Sequence, residues 1–194
     1  MLRIGVIVGS TRPARFADQV TPWVLQGVAA RKDIQAEELD LREFDLPFIR
    51  EPAPPTSTGG VFSDPHAREW CRRLAPCDAF IAVTPEYNHG PSAVLKNAFD
   101  SALLEWRRKP IAFVGYGGVG AARAIETLRG VVVELQMAPV RSEVNIGGDA
   151  FIGALQGQRT IDDFTYLAHG RDVLLNDLVW WANALKVARE TGSQ

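Results

Sequence analysis

The stretch MLRIGVIVGSTRPARFADQV (residues 1–20) joins an apolar run to a loop that contains glycine, two hydroxyl side chains and arginine. The run from Leu2 to Val8 is rich in β-branched residues, which is typical of a buried parallel strand. Pro13 suits the first turn of a helix, and apolar residues recur at helical spacing from Phe16 to Val28. This stretch therefore predicts a strand, a polar loop and a helix in succession.

The rest of the chain repeats this alternation of strand and helix. Further strands are predicted at Ile34 to Leu41, Asp78 to Thr84, Pro110 to Gly115 and Val140 to Ile146. Further helices are predicted from the cap Asp64 to about Ala75, from Pro91 to about Leu103, from Ala121 to about Met137 and from about Ile161 to Arg189, with Gly170 as a candidate break. The proline-rich residues 42–64 and the glycine-rich segment from Gly147 to about Gly157 are predicted to be loops.

The alternation of five strands with helices implies a parallel sheet that is covered by helices on both faces. With five strands, the flavodoxin-like order 2-1-3-4-5 is the expected topology. A length of 194 residues fits one domain over residues 1–194. In such a sheet, ligands bind at the carboxyl ends of the strands, near the point where the strand order reverses. That point lies between strands one and three.

The composition excludes several classes of protein. A formal net charge of -2 does not favour a nucleic-acid partner, and no apolar run approaches the ~20 residues that span a bilayer. The only two cysteines, Cys71 and Cys77, are too few for a disulfide framework, and their C-x5-C spacing is not a common zinc spacing. With no signal-peptide pattern at the N-terminus, the sequence favours a cytoplasmic protein without membrane or metal sites.

The loop GSTRPAR, after the first strand, has the features of a phosphate site. Gly9 allows a sharp turn, Ser10 and Thr11 offer hydroxyl donors, and a helix N-terminus follows. Arg12 and Arg15 add guanidinium groups that match phosphate oxygens. The lysine signature of the P-loop is absent, so nucleoside triphosphate hydrolysis is not implied. The alternative is a polar helix cap with two solvated arginines.

The loop PEYNHG, residues 85–90, follows the third strand. Its backbone amides and the Asn88 side chain can hydrogen-bond a planar heterocycle, and Tyr87 can cover one face of it. The alternative for Tyr87 is an aromatic ring that packs on the domain. No Ser or Cys nucleophile has an evident His and acid partner here, and Glu86 has no obvious second carboxylate. We therefore predict no catalytic side chain, and we interpret His89 as an exposed loop residue.

The segment GYGGVG, residues 115–120, is a literal G-x-G-x-x-G between a strand and a helix. A lone match is weak. Glu134 has roughly the spacing of the acidic residue that the dinucleotide fingerprint requires, but it falls inside the predicted helix and not at the end of the next strand. We interpret the segment as a third loop that brings bare backbone close to a ligand held by the first two loops. The alternative is a helix N-terminus that merely tolerates glycine.

Together, GSTRPAR and PEYNHGPSAVLKNAFD closely resemble the NADPH-dependent FMN reductase family of flavodoxin-like proteins, whose relatives include quinone, azo-dye and chromate reductases. The resemblance covers nearly the whole chain, and some relatives carry Ser and Asn at the positions of Arg15 and Ala17. It implies that FMN phosphate lies against the first loop and the flavin ring against the second and third loops. The implied cofactor-binding residues are Ser10, Arg12, Arg15, Phe16, Ala17, Pro85, Glu86, Tyr87, Asn88, Gly115, Tyr116, Gly117 and Gly118.

The resemblance implies an oxidoreductase in which hydride passes from NADPH or NADH to FMN, and electrons then pass to free flavin, a quinone or a similar small acceptor. Because the flavin carries this chemistry, no protein acid, base or nucleophile is required. The alternatives are a flavodoxin-like electron carrier, which generally has a markedly acidic surface, and a non-catalytic FMN-binding protein.

The resemblance also implies a homo-oligomer, either a homodimer or a homotetramer. The helix predicted from Ala121 to Met137 supports this prediction, because it is apolar over more than one face. Its apolar residues are Ile125, Leu128, Val131, Val132, Val133 and Leu135.

Overall fold

The fold is a five-stranded parallel sheet with the order β2-β1-β3-β4-β5, as seen in a computed structural model that describes residues 1–192. The strands are β1 (Leu2–Val8), β2 (Ile34–Asp40), β3 (Ala79–Pro85), β4 (Pro110–Tyr116) and β5 (Ala138–Ile146). All four neighbouring pairs are parallel. The predicted flavodoxin-like order is therefore confirmed.

Helices cover both faces of this sheet, as the alternation predicts. They are α1 (Ala17–Ala29), α2 (Pro65–Leu74), α3 (Ala93–Asp100), α4 (Ala122–Glu134), α5 (Gly148–Leu155) and α6 (Thr165–Glu190), with a short 3-10 helix at Ile161–Asp163. One buried cluster joins α1, α5 and α6 to one face of the sheet. A second cluster joins α2, α3 and α4 to the other face.

The burial of each strand follows from its place in the sheet. The strands β3 and β4 are buried at every residue, which explains why their sequences are almost continuously apolar. In the edge strand β2 only Ile34 and Leu39 are buried, and the other residues are partly or fully exposed. This partial burial agrees with the edge or half-covered strand predicted at Ile34 to Leu41.

Two helices begin at side-chain caps, one at Asp64, as predicted, and one at Ser92, which the sequence analysis did not name. The Asp64 carboxylate accepts hydrogen bonds from the amides of His66 and Ala67, and Pro65 occupies the first helical position. The Ser92 hydroxyl accepts from the amide of Leu95, so α3 begins at Ala93 rather than at Pro91. This helix ends at Asp100, before the predicted end at Leu103, and α4 ends at Glu134 rather than at Met137.

Two predictions on the C-terminal third are wrong. The segment from Gly147 to Gly157 contains α5, because Ala150 and Ala154 bury one face of a short helix against the core. Gly170 does not break α6, which runs without interruption from Thr165 to Glu190. The packing of a helix this long against the sheet outweighs the cost of about 1 kcal/mol for one internal glycine.

Candidate functional site

The first two loops meet at the carboxyl ends of β1 and β3, where the strand order reverses. The amide of Gly9 donates to the carbonyl of Val83 at 2.8 Å, and the buried Ser92 hydroxyl donates to the carbonyl of Gly9. A Cβ at Gly9 would lie 2.7 Å from the Val83 oxygen. Only glycine therefore lets the first loop lie this close to β3.

A cavity of about 340 Å³ opens where these loops meet the third loop and α5. This volume lies within the usual range of small-molecule sites. The lining residues are Arg12, Ala14, Arg15, Phe16, Pro85, Glu86, Tyr87, Tyr116, Gly117, Gly118, Phe151 and Leu155. A larger groove, of about 540 Å³, lies between α1 and residues 154–162, and it contains none of the predicted site residues.

Most of the predicted site residues line this cavity. The others are Ser10, Ala17, Asn88 and Gly115. Of these, Asn88 lines an adjoining surface pocket together with Arg12, Glu86 and Tyr87, whereas Ser10 and Ala17 are fully buried in the first loop and the start of α1.

The Ser10 and Arg12 side chains connect the first loop to the second. The hydroxyls of Ser10 and Tyr87 share a hydrogen bond of 2.8 Å. The exposed Arg12 guanidinium lies 5.8 Å from the centre of the Tyr87 ring, a distance that permits a cation–π contact. Among the ion pairs within residues 1–192, none involves Arg12, so its positive charge is available at the mouth of the cavity.

Arg15 has a different environment from the one that the sequence predicts. Its side chain is only 3% exposed, and its Nε donates to Asp18 at 2.8 Å. Both terminal nitrogens donate to the Asp40 carboxylate, and one also donates to the carbonyl of Ser10. The guanidinium is thus committed to the protein rather than presented to a phosphate, which corrects the expectation of an exposed phosphate-binding fork.

The Asp40 carboxylate is held ionised by this contact. Burial alone raises the pKa of Asp40, but hydrogen bonds from Arg15 and from the Arg42 amide lower that pKa below its ordinary value. The pair lies at the end of β2, where Asp40 is in register with Val8 of β1. Arg15 therefore fixes the first loop to the neighbouring strand.

An aromatic cluster forms one wall of the cavity. The Phe16 ring lies 5.5 Å from the Tyr116 ring and 4.9 Å from the Phe151 ring, centre to centre. The Tyr116 hydroxyl is buried and has no hydrogen-bond partner within residues 1–192, and burial raises the pKa of Tyr116. A buried polar group without a partner is costly, so this hydroxyl points to a polar ligand in the cavity.

The second loop is a tight two-residue turn. Tyr87 and Gly90 exchange backbone hydrogen bonds of 2.9 and 3.1 Å. Between them, Asn88 and His89 have φ values of 51° and 69°, as a type I′ turn requires. The turn exposes Asn88 and His89 at the rim and leaves Pro85 buried at the end of β3.

The Glu86 carboxylate is held by Arg123, a residue that the sequence analysis missed. Its Oε1 accepts from Arg123 Nε at 2.6 Å, and its Oε2 accepts from the Arg123 amide at 3.1 Å. Burial raises the pKa of Glu86, but these hydrogen bonds lower it below the ordinary value. Nη1 of Arg123 also lies 2.9 Å from His89 Nε2. The second loop is therefore fastened to the start of α4.

The glycines of the third loop divide into two groups. A Cβ at Gly115 would lie 2.3 Å from the Gly120 oxygen, so Gly115 is required by packing within the loop. At Gly117 and Gly118 a Cβ would meet no atom within 4 Å. These two glycines line the cavity with bare backbone, as expected for a planar group that lies against the chain.

Three lining residues were not predicted from the sequence. Ala14 lies within the first loop, whereas Phe151 and Leu155 belong to α5. The apolar spacing of Phe151, Ala154 and Leu155 was the available signal, but the flanking glycines favoured a loop. Within residues 1–192, no group of His, Cys, Asp and Glu side chains is arranged to hold a metal ion. No helix in the same range is long and apolar enough to cross a bilayer.

The amino-acid sequence matches one family of proteins. A family model for NADPH-dependent FMN reductases matches residues 2–150. The chain belongs to the NADPH-dependent FMN reductase family.

Named relatives agree with this family. The chain is 32% identical over 152 residues to an NAD(P)H-dependent FMN reductase of Schizosaccharomyces pombe, covering 77% of this chain and 76% of the relative. It is 33% identical over 145 residues to a 2-hydroxy-1,4-benzoquinone reductase of Burkholderia sp., covering 70% and 73%. Among solved structures, the flavoenzyme NAD(P)H:(acceptor) oxidoreductase FerB of Paracoccus denitrificans superposes with a TM-score of 0.73 at 25% identity, covering 95% and 98%.

Membership of the NADPH-dependent FMN reductase family makes the chain an oxidoreductase with FMN and NAD(P)H as its cofactors. The cavity fits FMN on three counts: the free Arg12 guanidinium, the unpartnered Tyr116 hydroxyl and the open backbone at Gly117 and Gly118. A flavodoxin of Pseudomonas aeruginosa has a similar fold, with a TM-score of 0.53 at 14% identity. That likeness concerns the fold alone.

Proposed function

We propose that the cavity binds FMN and that the chain uses NADPH or NADH to reduce free flavin, quinones or similar small acceptors. The observation that carries the proposal is the cavity itself, which joins a free cation, a buried unpartnered hydroxyl and a bare backbone surface at the strand ends. The benzoquinone reductase among the relatives supports a quinone as one acceptor.

The first loop is proposed to hold the phosphate of FMN. Arg12 supplies the charge, and the N-terminus of α1 supplies backbone amides that have no partner within the helix. Arg15 is proposed to act as a positioning residue, since it joins the Ser10 carbonyl to Asp40. Ser10, Phe16 and Ala17 belong to the same loop and helix start.

The second and third loops are proposed to hold the flavin ring. Pro85, Tyr87, Gly117 and Gly118 line the cavity where a planar group fits. Arg123 keeps the second loop in place through Glu86, and Asn88 lies at the rim. The hydride and electron transfer between the nicotinamide and the acceptor would be supplied by the bound FMN. The side chains bind and orient it, and none is required to transfer a proton.

Steady-state kinetics with a panel of acceptors and both nicotinamides test the proposal. One cavity that serves two substrates in turn predicts ping-pong kinetics, with parallel lines in double-reciprocal plots for NADPH against a quinone. Intersecting lines would contradict a shared cavity. Flavin binding without turnover of any acceptor would instead favour an electron carrier or a non-catalytic binding protein.

The proposal includes a homodimer or homotetramer in the cytoplasm. Cys71 and Cys77 are both free thiols, which supports a reducing compartment. Cell fractionation with an antibody against the chain tests the location, and recovery with membranes or outside the cell would contradict it.

A further inference from the structure

A groove of about 540 Å³ between α1 and residues 154–162 has no part in the proposed flavin chemistry. We call it the α1 groove, and its volume lies within the usual range of small-molecule sites. It shares no lining residue with the cavity at the strand ends, although α5 contributes residues to both. A ligand can therefore occupy the α1 groove while FMN occupies the cavity.

The deep part of the α1 groove is apolar. Trp23, Ala154 and Ile161 line it and are almost fully buried, with exposed fractions between 2% and 5%. Pro22 adds an exposed apolar ring on the α1 side, at a position inside the helix. Apolar and aromatic linings with a few polar groups are typical of sites for small organic molecules. These residues favour a ligand with a flat apolar body.

The Trp23 indole is a hydrogen-bond donor without an acceptor. Its Nε1 is buried and has no hydrogen-bond partner within residues 1–192. The Arg171 guanidinium lies 4.6 Å from the centre of the Trp23 ring, and Nη1 of Arg171 donates to the Trp23 carbonyl at 2.8 Å. Arg171 thus fixes the ring, but a guanidinium cannot accept a hydrogen bond from the indole. A buried donor without a partner is costly, so it points to an acceptor atom on a ligand.

A second free donor lies on the other side of the α1 groove. Arg159 is exposed, and its guanidinium lies 5.3 Å from the centre of the Phe164 ring, which allows a cation–π contact. Across residues 1–192, no hydrogen bond or ion pair involves the Arg159 side chain. Two donors, one of them charged, therefore line an otherwise apolar groove, and both need an acceptor such as an anionic oxygen.

The charges around Arg159 favour an anion with a single charge. Asp162 lines the same wall and has no ion pair in the described part of the chain, so a second negative charge on the ligand would be repelled. The Thr160 amide donates to the Asp163 carboxylate at 2.7 Å and is not available to a phosphate. A planar guanidinium matches the two oxygens of a carboxylate.

We propose that the α1 groove is a second binding site, which takes an aromatic carboxylate. The ring packs on the apolar part of the groove, and the carboxylate oxygens accept from Arg159 and from the Trp23 indole. This site is separate from the flavin cavity, and the proposal does not depend on the proposed reductase activity.

Calorimetric titration of the FMN-loaded protein with naphthoate tests the proposal, with naphthalenemethanol as the matched neutral probe. We expect saturable binding of naphthoate with a Kd of about 0.1 mM. In Arg159→Gln the naphthoate affinity is expected to fall roughly 10- to 150-fold, because a charge-assisted hydrogen bond is lost. Naphthalenemethanol is expected to bind the wild type more weakly than naphthoate does, and to bind Arg159→Gln and the wild type equally.

Two further variants separate the donors from general effects of substitution. Trp23→Phe keeps an aromatic ring but removes the N–H, and it is expected to lower the naphthoate affinity roughly 2- to 10-fold. The exposed Trp180→Phe on α6 and the exposed Arg141→Gln on β5 lie outside the α1 groove and are expected to change nothing. Equal affinities of the wild type for the two probes, or unchanged naphthoate binding in Arg159→Gln, would overturn the proposal even if Trp23→Phe fails to fold.

Arg12→Ala shows whether naphthoate binds in the flavin cavity instead. Arg12 lines that cavity and not the α1 groove, so this variant is expected to leave the naphthoate affinity unchanged. A loss of naphthoate binding in Arg12→Ala, or displacement of naphthoate by excess FMN, would overturn the proposal. Flavin reduction by NADPH, measured on the same preparations, shows separately whether the proposed function fails.

Discussion

Two arginines, three residues apart, have opposite roles in the first loop. Arg12 is exposed beside Tyr87, whereas Arg15 is buried against Asp40. From the sequence both are equal candidates for a phosphate contact, because nothing local distinguishes them. The distinction arises from Asp40, which lies 25 positions away and reaches the loop only when β2 pairs with β1. A sequence-based prediction can therefore name the loop but not the partner of each side chain.

The first prediction concerns Arg12→Ala, which is expected to weaken FMN binding and spare riboflavin, which lacks the phosphate. A charge-assisted hydrogen bond contributes about 1.5–3 kcal/mol, so FMN affinity falls roughly 10- to 150-fold. Fluorescence quenching at one ionic strength measures both ligands. Equal losses of affinity for the two ligands would show that Arg12 stabilises the loop rather than binding the phosphate. No loss for either ligand would show that Arg12 is a solvated surface residue.

The second prediction concerns Asp40→Asn, which removes the charge that Arg15 faces in a mostly buried position. We expect a loss of about 1–3 kcal/mol in the free energy of unfolding at pH 7, with weaker binding of FMN and riboflavin alike. The folded-state pKa of Asp40 is lowered, so its contribution is complete above its unfolded pKa of about 3.9 and is lost as the pH falls through the folded pKa.

Urea unfolding of the wild type and Asp40→Asn over a range of pH checks this prediction. The free energies of unfolding of the wild type and Asp40→Asn are expected to converge as the pH falls below about 4. The exposed Asp45→Asn serves as a control that changes neither stability nor binding. A difference that is independent of pH would show that the Asp40 charge is not responsible.

At the scale of elements, the sequence predicts the strands and the strand order but not every helix. The strands were recognisable because their apolar runs are continuous in β3 and β4 and alternate in β2. The helix α5 was missed because its glycines suggested a loop, while only tertiary contacts of Ala150 and Ala154 select the helix. The packing of α6 against the sheet explains in the same way why Gly170 is helical. The missed helix supplies one wall of the cavity.

The third prediction tests the role of α5 with Phe151→Ala. The Phe151 ring lies 4.9 Å from Phe16 at the cavity wall, and an aromatic pair contributes about 0.5–1.5 kcal/mol. We therefore expect FMN and riboflavin to lose affinity by the same factor, roughly 2- to 10-fold. The neighbouring exposed Ile152→Ala is the matched control. Unchanged affinity of Phe151→Ala for FMN and riboflavin, measured by the same titration, would show that α5 does not contribute to the binding site.

At the scale of the whole molecule, the two ends of the sheet have different roles. The carboxyl ends of the strands carry the cavity. Just before β4, at the other end, the Lys109 ammonium is buried and donates to the carbonyls of Ala75 at 3.0 Å and Leu74 at 3.4 Å. It also lies 5.6 Å from the centre of the Phe80 ring. Lys109 thus provides a hydrogen-bond donor for the free carbonyl groups at the C-terminal end of α2. Burial lowers the pKa of Lys109 to about 8.

The fourth prediction is a dependence of stability on pH that Lys109→Met removes. Between about pH 8 and an unfolded pKa near 10.4, the unfolded chain binds the proton more tightly than the folded chain. The wild type is therefore expected to gain stability relative to Lys109→Met as the pH rises through this window. Denaturant unfolding at several pH values measures the difference, with the exposed Lys32→Met as control. Parallel stability curves for the wild type and Lys109→Met would contradict a lowered pKa.

The central claim is that FMN in the cavity takes hydride from NAD(P)H before any acceptor binds. Anaerobic rapid mixing of the FMN-loaded protein with NADPH, followed through the visible absorbance of oxidised flavin, tests this claim most directly. We predict that the absorbance is lost in the absence of an acceptor and returns when a quinone is added after the nicotinamide has been removed. Loss of absorbance only when the quinone is already present, or no loss with either nicotinamide, would contradict the claim.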